Sequence, residues 1–93
     1  MNVIINMEIK KAQSVVFEML DLCGQLENEY LSETCSGIYN DVVAAKSLDS
    51  VIVCARELMV FVNEAPWEEY DLTDIRDEIE TLFNNLLEES EEF

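Results

Sequence analysis

Apolar residues recur every three or four positions along almost the whole chain, and this spacing constrains the fold more than any other feature of the sequence. It places apolar side chains on one face of an α-helix. Four such stretches occupy residues 9–26, 31–45, 48–62 and 72–86. Only two glycines and one proline interrupt the 93 residues, so few positions break a helix. The sequence therefore predicts an all-α fold, a small acidic helical bundle of about four helices.

The length of the chain suits one compact domain. We expect residues 1–93 to form a single helical domain, with an acidic C-terminal tail that frays from about residue 88. A domain of this size buries only ~60% of the surface of its unfolded chain, so a second copy would add stability. We therefore expect a homodimer.

Several residues have the chemistry of helix ends. Gly24 is expected to end or weaken the first helix near its close. The candidate N-caps are Asn6 for the first helix, Ser47 or Asp49 for the third, and Asp71 or Thr73 for the last. Residues 63–70 break the helical pattern and are interpreted as a connection. Within that connection, Trp67 and Tyr70 either cover the end of the bundle or form an exposed anchor for a partner.

The sign of the charge is the second constraint. The chain has 21 acidic and 5 basic residues, a net charge of −16. A small domain needs a net charge of only roughly 2–8 in magnitude to stay soluble. Direct binding to nucleic acid or to an anionic membrane is disfavoured, because both need clustered cations. The longest apolar runs are also too short to cross a bilayer. The N-terminus lacks the basic region and long apolar stretch of a secretory signal, so we expect a cytoplasmic protein.

The acidic residues are concentrated in the last third of the chain. Residues 1–63 hold nine acids and four bases, and residues 64–93 hold twelve acids and one base. We predict that these twelve carboxylates form the partner-binding site: Glu64, Glu68, Glu69, Asp71, Asp74, Asp77, Glu78, Glu80, Glu88, Glu89, Glu91 and Glu92. On a helical projection of the last segment, several of them lie opposite the apolar stripe.

Many charge runs are simply solvated helix faces, and acids in the first turn also stabilise the helix N-terminus. The repulsion between neighbouring acids on the last helix indicates a role beyond solubility and helix capping. Like charges at three or four positions' spacing, such as Asp74–Asp77 and Asp77–Glu80, oppose the helix by ~0.2–0.5 kcal/mol per pair. Arg76 can relieve only part of this repulsion through Glu80. Carboxylates at this spacing stand ~5–6 Å apart, so they can present charge to the arginines and lysines that bind phosphate.

The residues of common catalytic sites are missing. The chain has no histidine and no glycine-rich phosphate loop, and residues 71–80 lack the ligand pattern and central glycine of a calcium loop. We therefore expect no enzyme activity, no cofactor and no metal. Cys23, Cys35 and Cys54 have no metal-like spacing and are interpreted as reduced, buried small hydrophobic residues. An intermolecular disulfide or a reactive thiol is the alternative.

In size, helical character, charge and lack of catalytic groups, the chain resembles the DNA-mimic anti-restriction proteins of tailed bacteriophages. The acidic run between Glu64 and Glu92 is the main carrier of this resemblance. It implies a dimeric inhibitor of a modification-dependent (McrBC-type) restriction endonuclease, working in the host cytoplasm. It also implies competition with DNA for a histone-like nucleoid protein. The expected partner is thus a basic DNA-binding protein.

Two alternatives remain open. One is an acidic helical adaptor that binds a partner helix through apolar surface. The other rests on residues 47–51, which resemble the start of the second helix of acyl carrier proteins, where a serine carries phosphopantetheine. There the serine normally follows an aspartate, whereas here Lys46 precedes Ser47, and the upstream glycine is absent. A helix N-cap is the favoured role for Ser47.

Overall fold

The structure is a computed structural model that describes the backbone of residues 2–26 and 29–91 and the side chains of residues 9–26 and 31–90. It contains four α-helices: α1 (Asn2–Cys23), α2 (Glu29–Ala44), α3 (Leu48–Glu64) and α4 (Thr73–Glu91). One turn of 3-10 helix, Glu68–Tyr70, lies between α3 and α4. There is no strand among the described residues. The predicted all-α bundle is confirmed.

Successive helices run in opposite directions. Gln13 on α1 donates from Nε2 to the carbonyl oxygen of Val42 near the end of α2, at 2.8 Å. Lys11 on α1 pairs with Glu89 near the end of α4. Both α1 and α3 pack against each of the other three helices, so they form a central pair with α2 and α4 beside it. The bundle is elongated, with extents of 47 × 23 × 16 Å.

The four apolar stripes meet in one core. Each helix contributes fully buried side chains, among them Val16, Val42, Leu58 and Ile79. Among the described side chains none that is polar or charged is buried. Burial of this apolar area stabilises the fold by ~25 cal/mol per Å². Within the described residues, no helix combines the length and the apolar character needed to cross a membrane.

The helix ends test the cap predictions. Gly24 follows α1 directly, and its N–H donates to the carbonyl oxygen of Leu20 at 3.1 Å. Ser47 is the N-cap of α3, and its Oγ accepts from the N–H of Ser50 at 3.2 Å. The prediction of Asn6 as an N-cap is wrong, because α1 begins at Asn2 and Asn6 lies inside it. No glycine or proline near the N-terminus delays the start of that helix.

The cap of α4 is also corrected. Leu72, rather than Asp71 or Thr73, precedes the first helical residue, and its carbonyl oxygen accepts from the N–H groups of Ile75 and Arg76. Asp71 adopts the left-handed conformation, with φ of 59°, and reverses the chain after the 3-10 turn. Aspartate tolerates this conformation better than most residues do, so its role here is in the turn. The described part of α4 is helical to Glu91; the frayed tail from about residue 88 stays a prediction.

Candidate acidic interface

The structure exposes every carboxylate of the predicted partner-binding site whose side chain it describes. Glu64 lies at the end of α3, Glu68 and Glu69 in the 3-10 turn, and Asp71 in the reversal that follows. The exposed carboxylates on α4 are Asp74, Asp77, Glu78, Glu80, Glu88 and Glu89. The side chains of Glu91 and Glu92 lie outside the described residues. Ten of the twelve predicted carboxylates are thus exposed to solvent.

The face of α4 opposite the core carries much of this charge. Ile79 and Leu86 are buried, and Ile75, Leu82 and Phe83 pack partly buried against the same core. Asp74, Asp77 and Glu88 fall on the opposite side of the 3.6-residue period, and all three are exposed. The predicted division of α4 into an apolar and an acidic face is therefore confirmed for the described residues.

The acids of α4 form two groups rather than one continuous row. Residues 74–80 form the first group, and the second begins at Glu88. Residues 81–87 between them carry no charge, and Thr81, Asn84 and Asn85 are exposed there. At ~1.5 Å of rise per residue, Glu80 and Glu88 are about 12 Å apart along the helix axis. The face therefore presents two patches of charge separated by neutral, hydrogen-bonding side chains.

Little of this charge is neutralised within the chain. Among the described side chains, the one ion pair joins Lys11 Nζ to Glu89 Oε2 at 3.2 Å, and both side chains are largely exposed. Arg76 is half-buried at the edge of the apolar stripe and forms no ion pair with Glu80. The relief that the sequence suggested for the first group is therefore not present in the described residues.

The order of the helices brings acids from outside residues 64–93 to the same end of the bundle as the acidic 3-10 turn. Because the helices alternate in direction, the end of α1, the start of α2, the end of α3 and the start of α4 share one end of the bundle. Exposed Asp21 and Glu33 therefore lie at the same end as Glu68 and Asp74. Short connections between four helices predict an up-and-down bundle. That order alone would have placed Asp21 and Glu33 at this end of the bundle.

Trp67 and Tyr70 have different roles. The Trp67 side chain is buried, with 2% of its surface exposed, and it covers the end of the bundle. Tyr70 is 57% exposed beside the acidic 3-10 turn. The other large apolar side chains at the surface are Tyr39 and Val43 on α2 and Val53 and Val60 on α3. An exposed anchor is therefore available at Tyr70, and further apolar surface lies on α2 and α3.

The structure places no disulfide between the three cysteines, and two of them are core residues. Cys23 and Cys54 are buried, whereas Cys35 is half-buried. In the part of the chain that the structure describes, no group of three or more histidine, cysteine or acidic side chains is arranged to hold a metal ion. Ser47 is exposed, and its hydroxyl is engaged in the cap of α3, 2.9 Å from the hydroxyl of Ser50.

Comparison of the chain with protein-family models, with curated proteins and with solved structures gives no match. The resemblance to DNA-mimic anti-restriction proteins therefore stays a hypothesis that rests on size, helical character and charge.

Proposed function

We propose that this protein is a non-enzymatic DNA mimic that occupies the DNA-binding surface of a basic bacterial protein. The observation that carries the proposal is the set of ten exposed carboxylates between residues 64 and 89, of which one is paired with a cation in the described residues. A surface that served solubility alone would interleave cations to relieve repulsion. Carboxylates left unpaired on a rigid bundle are available to arginine and lysine side chains.

The density of charge supports this role. A net charge of −16 over a length of 47 Å is about one negative charge per 3 Å. Duplex DNA carries one per ~1.7 Å of its axis. One bundle thus reaches roughly half the linear charge density of a duplex, and a homodimer with its arrays side by side would approach it. The proposed active form is therefore a homodimer.

The spacing of the charge supports it as well. The two acidic groups of α4 are separated by about 12 Å of neutral surface, comparable to the ~12 Å width of the major groove between phosphate rows. Basic side chains that straddle a groove could contact both groups at once. The neutral gap, with exposed Asn84 and Asn85, offers hydrogen-bond donors and acceptors where a DNA-binding protein would contact base edges.

Within this function, the resemblance noted above suggests the target. We propose inhibition of a modification-dependent, McrBC-type restriction endonuclease in the bacterial host cytoplasm, and competition with DNA for a histone-like nucleoid protein. Neither role requires a cofactor or a chemical step by this chain. The contacts would form quickly and weaken with salt, because exposed charges dominate them.

The test is capture of proteins from a bacterial lysate on the immobilised chain. Purified McrBC-type endonuclease and a purified nucleoid protein serve as defined partners. We expect both to be retained, and we expect salt and excess duplex DNA to release them. A triple variant, Asp74→Asn with Asp77→Asn and Glu80→Gln, should weaken binding at least tenfold. Its matched control, Glu18→Gln with Asp41→Asn and Glu57→Gln, makes the same change in net charge on the other three helices.

Equal loss of binding in both triple variants would mean that net charge alone acts, without a defined face. Retention that withstands both salt and DNA would contradict DNA mimicry. Competition measured against a labelled duplex keeps the readout specific for the DNA-binding surface.

The second candidate is an adaptor that binds a partner helix through apolar surface. It is favoured by the exposure of Tyr70, Val53 and Val60, each more than half accessible, since aromatic side chains are enriched at interfaces. Tyr70→Ala separates the two functions, because Tyr70 is exposed and its loss leaves the core intact. An adaptor would lose more affinity through Tyr70→Ala than through the triple change on α4, and a DNA mimic would show the reverse.

A further inference from the structure

Two of the three cysteines line one open cavity between α1 and α2. Cys23 is the last residue of α1, and Cys35 lies in the middle of α2. The cavity has a volume of about 760 Å³, and its apolar walls include Phe17, Leu20 and Tyr39. It opens to solvent between the two helices, so a small molecule can reach the thiol of Cys35, which is half-buried there.

The two cysteines line the same cavity and differ in exposure. A hydrogen bond between their side chains is the first cause of the pKa shift of each. Cys23 is nearly inaccessible, with 2% of its surface exposed. Its hydrogen bond to Cys35 and its burial raise the pKa of Cys23, whereas the same hydrogen bond lowers the pKa of Cys35. The accessible member of the pair is therefore the one that ionises first, and the protected member supplies the proton that stabilises its thiolate.

We propose that Cys35 and Cys23 form a thiol–disulfide exchange site for small-molecule disulfides. None of the ten exposed carboxylates between residues 64 and 89 lines this cavity, and the proposal does not depend on their function. It requires no metal and no further residue, because the oxidant is the disulfide itself.

The reaction has two steps. The Cys35 thiolate attacks one sulfur of the small disulfide, which forms a mixed disulfide on Cys35 and releases one small thiolate. Cys23 then loses its proton to solvent and attacks Cys35 Sγ, which forms the Cys23–Cys35 disulfide and releases the second small thiolate. Both leaving thiolates take up protons. The two cysteines lose two electrons and the small disulfide gains them, so the exchange is balanced.

Cys54 provides an internal control. It lies on α3, buried, with 6% of its surface exposed. Burial and the nearby carboxylates of Asp41 and Glu57 raise its pKa. A thiol of this kind reacts slowly with disulfides, so Cys54 should stay reduced while the pair is oxidised.

The test uses the full chain and oxidised glutathione, followed by alkylation of the remaining thiols and peptide mass spectrometry. We expect a Cys23–Cys35 disulfide and one alkylated thiol, at Cys54. In Cys23→Ala, the second step is blocked and Cys35 should keep a glutathione adduct of about 305 Da. Cys35→Ala should give neither product, and Cys54→Ala should oxidise like the unchanged protein.

Three outcomes would overturn the proposal. They are modification of Cys54 before Cys35, a glutathione adduct on Cys35 that persists equally with and without Cys23, and three alkylated thiols after prolonged exposure to the oxidant. Circular dichroism of each variant shows whether it is folded. If Cys23→Ala is unfolded, Cys35→Ala and Cys54→Ala still decide the result, because only the former should abolish the disulfide.

Discussion

The indole N–H of Trp67 donates a 2.6 Å hydrogen bond to the carbonyl oxygen of Val62. In a regular helix this carbonyl would accept from the N–H four residues later, but Pro66 occupies that position and has none. Both Val62 and Trp67 are buried, and an unpaired buried carbonyl costs ~1–3 kcal/mol. The tryptophan therefore satisfies the acceptor that the proline leaves open, while its ring covers the end of the core.

Trp67→Phe should reveal the value of this hydrogen bond. The phenyl ring keeps most of the apolar burial but has no N–H, so we expect a loss of ~1–3 kcal/mol in the free energy of unfolding. The measurement is urea denaturation, with a lower midpoint and an unchanged slope. Tyr70→Phe is the control, because its side chain is exposed, and it should stay within ~0.5 kcal/mol. Equal effects of the two changes would show that the hydrogen bond has no net value.

The four helices and their buried stripes could be predicted because the 3.6-residue period directly reports which side chains leave water. The residues that form the start of α4 could not be predicted in this way. Both Asp71 and Thr73 have side chains that can cap a helix, but Asp71 instead adopts the left-handed conformation in the turn before α4. Which residue takes that conformation depends on how the 3-10 turn packs against the core. The acidic face of α4 could be predicted in the same way as its apolar stripe.

Other parts of the candidate site depended on contacts between distant residues. The pairing of Lys11 with Glu89 joins two different helices, and no local pattern contains it. The same is true of Asp21 and Glu33, which reach the acidic end of the bundle only through the antiparallel order of the helices.

Gly37→Ala should stabilise the protein. Gly37 lies inside α2, its φ is negative, and a Cβ there would meet no atom within 4 Å. Alanine is favoured over glycine in a helix by ~0.5–1 kcal/mol, which raises the melting temperature by roughly 2–8 °C in a domain of this size. Thermal unfolding followed by circular dichroism measures it.

Gly24→Ala is the matched comparison for that change. A Cβ on Gly24 would lie 3.2 Å from the carbonyl oxygen of Asp21, so alanine gains no comparable stability there. Equal stabilisation by Gly24→Ala and Gly37→Ala would show that crowding by the Asp21 carbonyl oxygen does not distinguish the two sites.

Asp77→Asn should also stabilise the protein, although it removes a charge from the proposed interface. It relieves the repulsion of Asp77 with Asp74 and with Glu80, worth ~0.4–1 kcal/mol together at low salt. The gain should shrink in 1 M salt, where the screening length is ~3 Å. Urea denaturation at both salt concentrations measures this. Glu89→Gln, which removes the ion pair with Lys11, should have the opposite sign and cost up to ~1 kcal/mol.

The pH dependence of thiol alkylation should separate Cys35 from Cys54. The thiolate is the nucleophile, so a lowered pKa moves the rise in rate to lower pH and a raised pKa moves it to higher pH. The hydrogen bond from Cys23 lowers the pKa of Cys35, and burial with the nearby carboxylates raises that of Cys54. With iodoacetamide, we therefore expect the midpoint for Cys35 to lie below that of an unperturbed thiol and the midpoint for Cys54 to lie above it. In Cys23→Ala, the Cys35 midpoint should move upward because the donor is gone; an unmoved midpoint would mean that Cys23 does not stabilise the Cys35 thiolate.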